Sequence, residues 1–167
     1  QNFPLITANI YVLCSDGDLQ EGVSAESAAL AGHLGLGNLI AIYDSNQITI
    51  AGDARLSMSE NVRQRFEAYG WHVQQCNGHD HDQIVQAVEA ARSEGGTPSL
   101  IIANTTIGKG PPNNQGKSDV HGSPLGDEEL AATKEILGWE HSERFYVPDE
   151  VREVCANRKA ENIEEYD

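Results

Sequence analysis

Basic residues are scarce in this sequence. Eleven Lys and Arg stand against 26 Asp and Glu, and the formal net charge is −15. A chain this acidic has no cationic footprint for nucleic acid or for an anionic membrane surface, so neither is expected as a partner. Long apolar runs are missing too: nothing approaches the roughly 20 residues that span a bilayer. The opening "QNFPLITANI" has no basic region ahead of an apolar one, so no leader peptide is expected. An initiator Met is absent, and the first strand-like run begins by residue 10, as expected of a fragment. Cysteines are few. Cys14, Cys76 and Cys155 are odd in number, far apart and without a C-x-x-C pair. That argues against zinc and disulfide frameworks. Cys14 and Cys76 lie in apolar runs and read as buried free thiols in a reducing compartment, the cytoplasm.

What is present is enough for one folded domain: 167 residues, 39% apolar and 22% charged. Strand and helix signals alternate. "IYVLCS" (10–15) is apolar without polar alternation and predicts a strand covered on both faces. Residues 22–37 predict a helix with Val23, Leu30 and Leu34 near one face, small residues Ala28, Ala31 and Gly32 for close packing, and Gly35 and Gly37 as stops. "NLIAIYD" (38–44), "WHVQQC" (71–76) and "SLIIANT" (99–105) predict further strands. Residues 59–70, with Ser59 as cap, and 80–95, with Asp80 or Asp82 as cap, predict helices. The order βαβαβαβ with short joints predicts an α/β fold: a parallel sheet with helices on both faces, and ligands at the carboxyl ends of its strands. Residues 106–126 form a long Gly/Pro-rich loop of the kind that is usually functional. A helix follows over 127–139. The domain is expected to close near residue 141, with 142–167 the start of a linker holding a short helix (149–157) and a solvated or frayed end.

Chemistry concentrates at the strand ends. "VLCSDGDLQEG" (12–22) sets Asp16, Asp18 and Glu21 within six positions, directly after an apolar run. Burying such charges is costly, so they are solvated, cap a helix, or meet a cation. Asn46 follows the second strand 30 positions after Asp16, the length of one strand–helix–strand repeat. On neighbouring strands the Asp carboxylate and the Asn amide oxygen meet at one edge. With a backbone carbonyl and a diphosphate they make a hard oxygen site suited to Mg²⁺ or Ca²⁺. Gly17 lets a backbone N–H come close to phosphate.

Asp16-Gly17 with Asn46 resembles the thiamine-diphosphate fingerprint. Together with "DGDLQEGVSAES", "AGHLGLGNLIAIYDSNQITI", "RFEAYGW", "TTIGKG" and "VHGSPLG" in that order, the chain resembles transketolase from about residue 10 to 150. The resemblance implies the central and C-terminal part of a diphosphate-binding domain. It implies transfer of a two-carbon ketol unit from a ketose phosphate to an aldose phosphate, with thiamine diphosphate and Mg²⁺ or Ca²⁺ as cofactors. Asp16, Asn46 and the Ile48 carbonyl would ligate the cation, and the Gly17 amide would contact the diphosphate. Glu21 would lie at a homodimer interface linking two cofactor sites, and Ile107 would pack on the thiazolium ring. His121 would contact the diphosphate near the reacting end of the substrate, as the catalytic side chain. Asp18 falls at a variable position and is expected in solvent. Two departures stand out: Ser15 replaces the first Gly of the fingerprint, and Ser118 stands where the family often has His. The family also has a long preceding segment and a following pyrimidine-binding domain with the glutamate that activates the cofactor. The partners implied are therefore sugar phosphates, a second subunit and those further domains, and surfaces facing them should be apolar. Dihydroxyacetone synthase, 1-deoxyxylulose-5-phosphate synthase and a non-catalytic fragment binding only diphosphate and metal are the alternative readings. Of the other histidines, His33 reads as structural, and His79 and His81 as solvated beside capping aspartates; Lys109 and Lys117 read as solvated loop residues.

Overall fold

The computed structural model describes residues 7–166; residues 1–6, which include most of the run read above for a leader, and Asp167 lie outside the described residues. The strands are β1 (Ile10–Ser15), β2 (Leu39–Ser45), β3 (Ile48–Thr49), β4 (Gly52–Asp53), β5 (His72–Asn77) and β6 (Ser99–Asn104). The helices are α1 (Asp16–Gln20), α2 (Gly22–Leu34), α3 (Val62–Ala68), α4 (His81–Ser93), α5 (Asp127–Ile136) and α6 (Asp149–Tyr166). Four strands form a parallel sheet in the order β1-β2-β6-β5, and β3 and β4 make a small antiparallel hairpin. Ser15 pairs with Asp44, Ser45 with Asn104, and Asn77 with Asn104, so all four strands end at one level.

Side chains alternate across the sheet as its pleat requires. Ala41, Tyr43, Leu100 and Ile102 face one side, where Leu19, Ala28, Ala31, Val62, Phe66 and Trp71 cover them. Ile40, Ile101 and Ala103 face the other, against Ala87 and Ala91 of α4. Helices thus lie on both faces, as the sequence predicts. The Trp71 ring meets Phe66 edge-on at 5.1 Å, and its indole N–H donates to the Ala28 carbonyl at 2.8 Å. Burial of one such ring contributes roughly 2–3 kcal/mol.

Helix α2 lies close to that corner because Gly32 has no side chain: a Cβ there would sit 1.8 Å from the Tyr69 carbonyl oxygen. This approach turns the small side of α2 inward and its large side chains outward. Val23, Leu30 and Leu34 share one face, as expected, and it is the outer one: they are 65%, 57% and 58% exposed. One expectation is corrected at β1. It is an edge strand, not one covered on both faces, and Ile10, Tyr11, Val12 and Leu13 are exposed. Extended apolar sequence cannot reveal whether a strand has one neighbour or two.

Local signals set most of the element ends. Gly35 ends α2 in the left-handed conformation (φ 60°), and the Asp80 side chain caps α4 by accepting from Gln83 N. Helix α3 is capped by Asn61 and not by Ser59: the Asn61 side chain accepts from Gln64 N at 3.1 Å. Helix α6 runs on to Tyr166, past the expected end at 157, through good helix formers and an Arg158–Glu161 pair; its described residues are exposed. His33 is exposed on α2 and makes no side-chain hydrogen bond among the described residues. No helix among the described residues is long and apolar enough to cross a membrane.

Candidate cofactor and cation site

The three carboxylates of residues 16–21 separate by role. Asp16, the first residue of α1, is completely buried. Its Oδ1 accepts from the Tyr43 hydroxyl at 2.7 Å. Its Oδ2 accepts from the main-chain N–H of Gln47 at 3.0 Å and of Asn46 at 3.2 Å. Asp18 is exposed but does not merely stand in solvent. Its carboxylate accepts from both the N–H and the hydroxyl of Ser15 at 2.8 Å, bracing the turn from β1 into α1. Glu21 is exposed at the joint between α1 and α2.

Among the described residues, no basic side chain bonds to Asp16. Three N–H or O–H dipoles hold a buried charge that would otherwise be strongly disfavoured. Burial pushes the Tyr43 hydroxyl far above the usual phenol range, so it remains a proton donor; Ser45 acts in the opposite direction. Tyr43 was not apparent from the sequence. The available signal was a phenol in a buried parallel strand, whose hydroxyl must find a partner.

Asn46 lies beside Asp16, and its side-chain oxygen accepts from Ile48 N at 2.9 Å, closing a tight turn. Gln47 at the apex has φ 63°, a left-handed conformation that costs a non-glycine residue about 1 kcal/mol or more. This conformation aims the Gln47 N–H at Asp16, while its carbonyl accepts from Ala54 N at 2.8 Å and joins the β3–β4 hairpin to the turn. Neither Gln47 nor the hairpin was evident from periodicity, because two-residue strands carry too few positions to show one.

The oxygens here fit a hard cation. Three of the four lone-pair directions of Asp16 are taken and one of two on the Asn46 oxygen, leaving each able to accept once more. Gly17 is exposed, and a Cβ there would meet nothing closer than Ser15 Oγ at 4.0 Å. The chain itself therefore has no need of glycine at that position, and the surface above it is open to a ligand. A cleft of about 440 Å³ opens at the strand ends, lined by Asp16, Tyr43, Ser45, Gln47 and Asn104.

Ile107 and His121 lie on the loop between β6 and α5. Ile107 is half-buried and His121 is exposed just after a 3₁₀ turn at Ser118–Val120. Their segments meet: at Gly108 (φ 56°) a Cβ would lie 2.8 Å from Val120 Cγ2, and the Ile107 carbonyl accepts from Gly116 N at 2.9 Å. No described hydrogen bond joins either side chain to Asp16. Lys109 and Lys117 are exposed. His79, read as solvated, is exposed and is also an acceptor: Thr106 N donates to its Nε2 at 2.8 Å.

A parallel sheet with polar donors and acceptors gathered at its strand ends defines a cofactor-binding α/β domain. Residues 1–167 match the family model for the transketolase thiamine diphosphate binding domain. The chain is 51% identical over 150 residues to a transketolase of Geobacillus stearothermophilus, covering 89% of this chain and 22% of that protein. It is 50% identical over 156 residues to the Bacillus subtilis (strain 168) transketolase, covering 93% of this chain and 23% of that one. A crystal structure of a Pichia stipitis transketolase variant with fructose 6-phosphate matches with a TM-score of 0.88 at 40% identity, covering 97% of this chain and 24% of that one. The chain belongs to the transketolase family, by its thiamine-diphosphate-binding domain, and spans about a quarter of the length of these relatives.

Proposed function

We propose that this chain holds the diphosphate and its cation in a complete thiamine-diphosphate-dependent transketolase. That enzyme transfers a two-carbon ketol unit from a ketose phosphate to an aldose phosphate. The carrying observation is the buried Asp16 carboxylate at the end of β1, bonded to Tyr43 and to the Asn46–Gln47 turn, with no basic side chain among the described residues upon it. In this reading Asp16, Asn46 and the Ile48 carbonyl would hold Mg²⁺ or Ca²⁺ through oxygen, and the Gly17 amide would face the diphosphate. When bound, the cofactor supplies a nucleophilic carbon and an electron sink. Ile107 would pack on its thiazolium ring. His121 moves a proton at the reacting end of the substrate, a task suited to an imidazole near neutral pH. Glu21 sits at the contact with a second subunit, linking the two sites. Other parts of the enzyme cover the exposed apolar side chains of β1 and α2, and the domain closes near residue 141. Free thiols throughout suit the cytoplasm.

In the complete enzyme, His121→Ala lowers turnover far more than thiamine diphosphate affinity; unchanged turnover refutes the proton role. The 167-residue chain alone gives no ketol transfer from xylulose 5-phosphate to ribose 5-phosphate, because the glutamate that activates the cofactor belongs to another domain. Turnover by the pure chain would refute this division of labour.

A further inference from the structure

We infer that His79 is a positioning residue for the cofactor-facing loop: its imidazole holds the start of that loop by accepting the main-chain N–H of Thr106. The inference rests on the reading above, in which Ile107 and His121 face the cofactor.

His79 stands on a firm base between β5 and α4. Its own N–H donates to Asn77 Oδ1 at 3.0 Å, and Gly78 N donates to the Asn104 carbonyl at 2.8 Å. A Cβ at Gly78 would lie 2.4 Å from Thr105 Cγ2, so the turn is pressed against the end of β6. From there His79 Nε2 reaches Thr106 N at 2.8 Å. The preceding residue is tied on the opposite side. Thr105 N donates to the Ser45 carbonyl at 3.2 Å, and the Thr105 hydroxyl bonds the Asp44 carboxylate. The first two residues of the loop are thus fixed to both neighbours of β6, β2 on one side and β5 on the other. Ile107 comes next, and Gly108 packs against Val120 beside His121, so an anchor at Thr106 bears on both proposed site residues.

A ring nitrogen that accepts an amide N–H carries no proton, so His79 is neutral here with its proton on Nδ1. Protonation removes the acceptor and sets two N–H groups against each other. The ionisable groups around it are Asp80 and His81 at the start of α4 and, across Thr105, Asp44 at the end of β2. The tie therefore needs an Nε2 that carries no proton.

Hydrogen exchange at the Thr106 amide tests this directly. It is measured in the complete enzyme as a protection factor at neutral pH, where wild-type protection is expected to be high. His79→Ala lowers it by about fivefold or more at neutral pH, the worth of one net hydrogen bond. His79→Gln places an accepting oxygen near the position of Nε2 and keeps protection. Thiamine diphosphate affinity weakens in the Ala variant and recovers in the Gln variant. Unchanged Thr106 protection in His79→Ala, or protection lost in His79→Gln as fully as in His79→Ala, overturns the inference. Asp16→Asn separates it from the underlying reading. If that change abolishes cation-dependent cofactor binding while His79→Ala leaves Thr106 protected, the inference alone fails. If Asp16→Asn leaves that binding intact, the site reading fails and the inference with it.

Discussion

Replacing Asp16 by two different residues separates its structural work from its proposed work on a cation. In Asp16→Leu three donors lose their acceptor: the Tyr43 hydroxyl and the Asn46 and Gln47 amides. Each orphaned buried donor costs about 1–3 kcal/mol. The sum, about 3–9 kcal/mol, rivals the roughly 5–15 kcal/mol that holds a domain folded, so this variant should unfold or aggregate. Asp16→Asn keeps one oxygen for the two amide N–H groups and turns its NH₂ toward the Tyr43 oxygen, which accepts in place of donating. Charge assistance on the bonds is lost, at about 1 kcal/mol each. The cheaper burial of a neutral amide offsets part of this, leaving a net cost of about 1–2 kcal/mol. The fold should survive while the charge on the cation is gone. Magnesium-dependent binding of thiamine diphosphate, followed by calorimetry on the complete enzyme, should weaken by more than the roughly hundredfold upper range seen for supporting partners of a metal ligand. Normal binding by a folded Asp16→Asn variant would refute the ligand role. Unfolding of Asp16→Asn as complete as that of Asp16→Leu would show that the negative charge itself, and not the acceptor geometry, holds the turn.

Two further outcomes follow from the packing and the thiols. Gly32→Ala would force a Cβ to within 1.8 Å of the Tyr69 carbonyl and move α2 off the Tyr69–Trp71 corner, costing about 3 kcal/mol or more; a thermal midpoint unchanged from wild type would contradict that close approach. Burial first, then the negative charge of Asp18, raises the Cys14 thiol to about 11 from 9.0, with Arg65 opposing. Because the folded value is the higher one, folding favours the protonated thiol, and this contribution is whole below pH 9.0 and lost as pH rises toward 11. Alkylation of the 167-residue chain at pH 8, mapped by peptide mass, should label exposed Cys155 well before Cys14; equal labelling would contradict the burial.

The sequence alone was enough to set out the alternation of strands and helices, the stops at Gly35 and the cap at Asp80, and the pairing of Asp16 with Asn46 one strand–helix–strand repeat apart. These are local or nearly local matters: backbone propensity, capping chemistry and the length of a crossover. Tertiary structure decided the rest. It placed β6 between β2 and β5, left β1 at the edge with its apolar residues exposed, and turned the large side chains of α2 outward. It also sorted three neighbouring carboxylates into one buried and hydrogen-bonded, one bracing a helix start, and one in solvent. Tyr43, the left-handed Gln47 and the His79 tie to Thr106 each join residues to partners on other elements. A periodic pattern reports how a segment folds upon itself. Burial and hydrogen-bond partners depend on which distant segment arrives beside it, and that is settled only when the sheet is assembled.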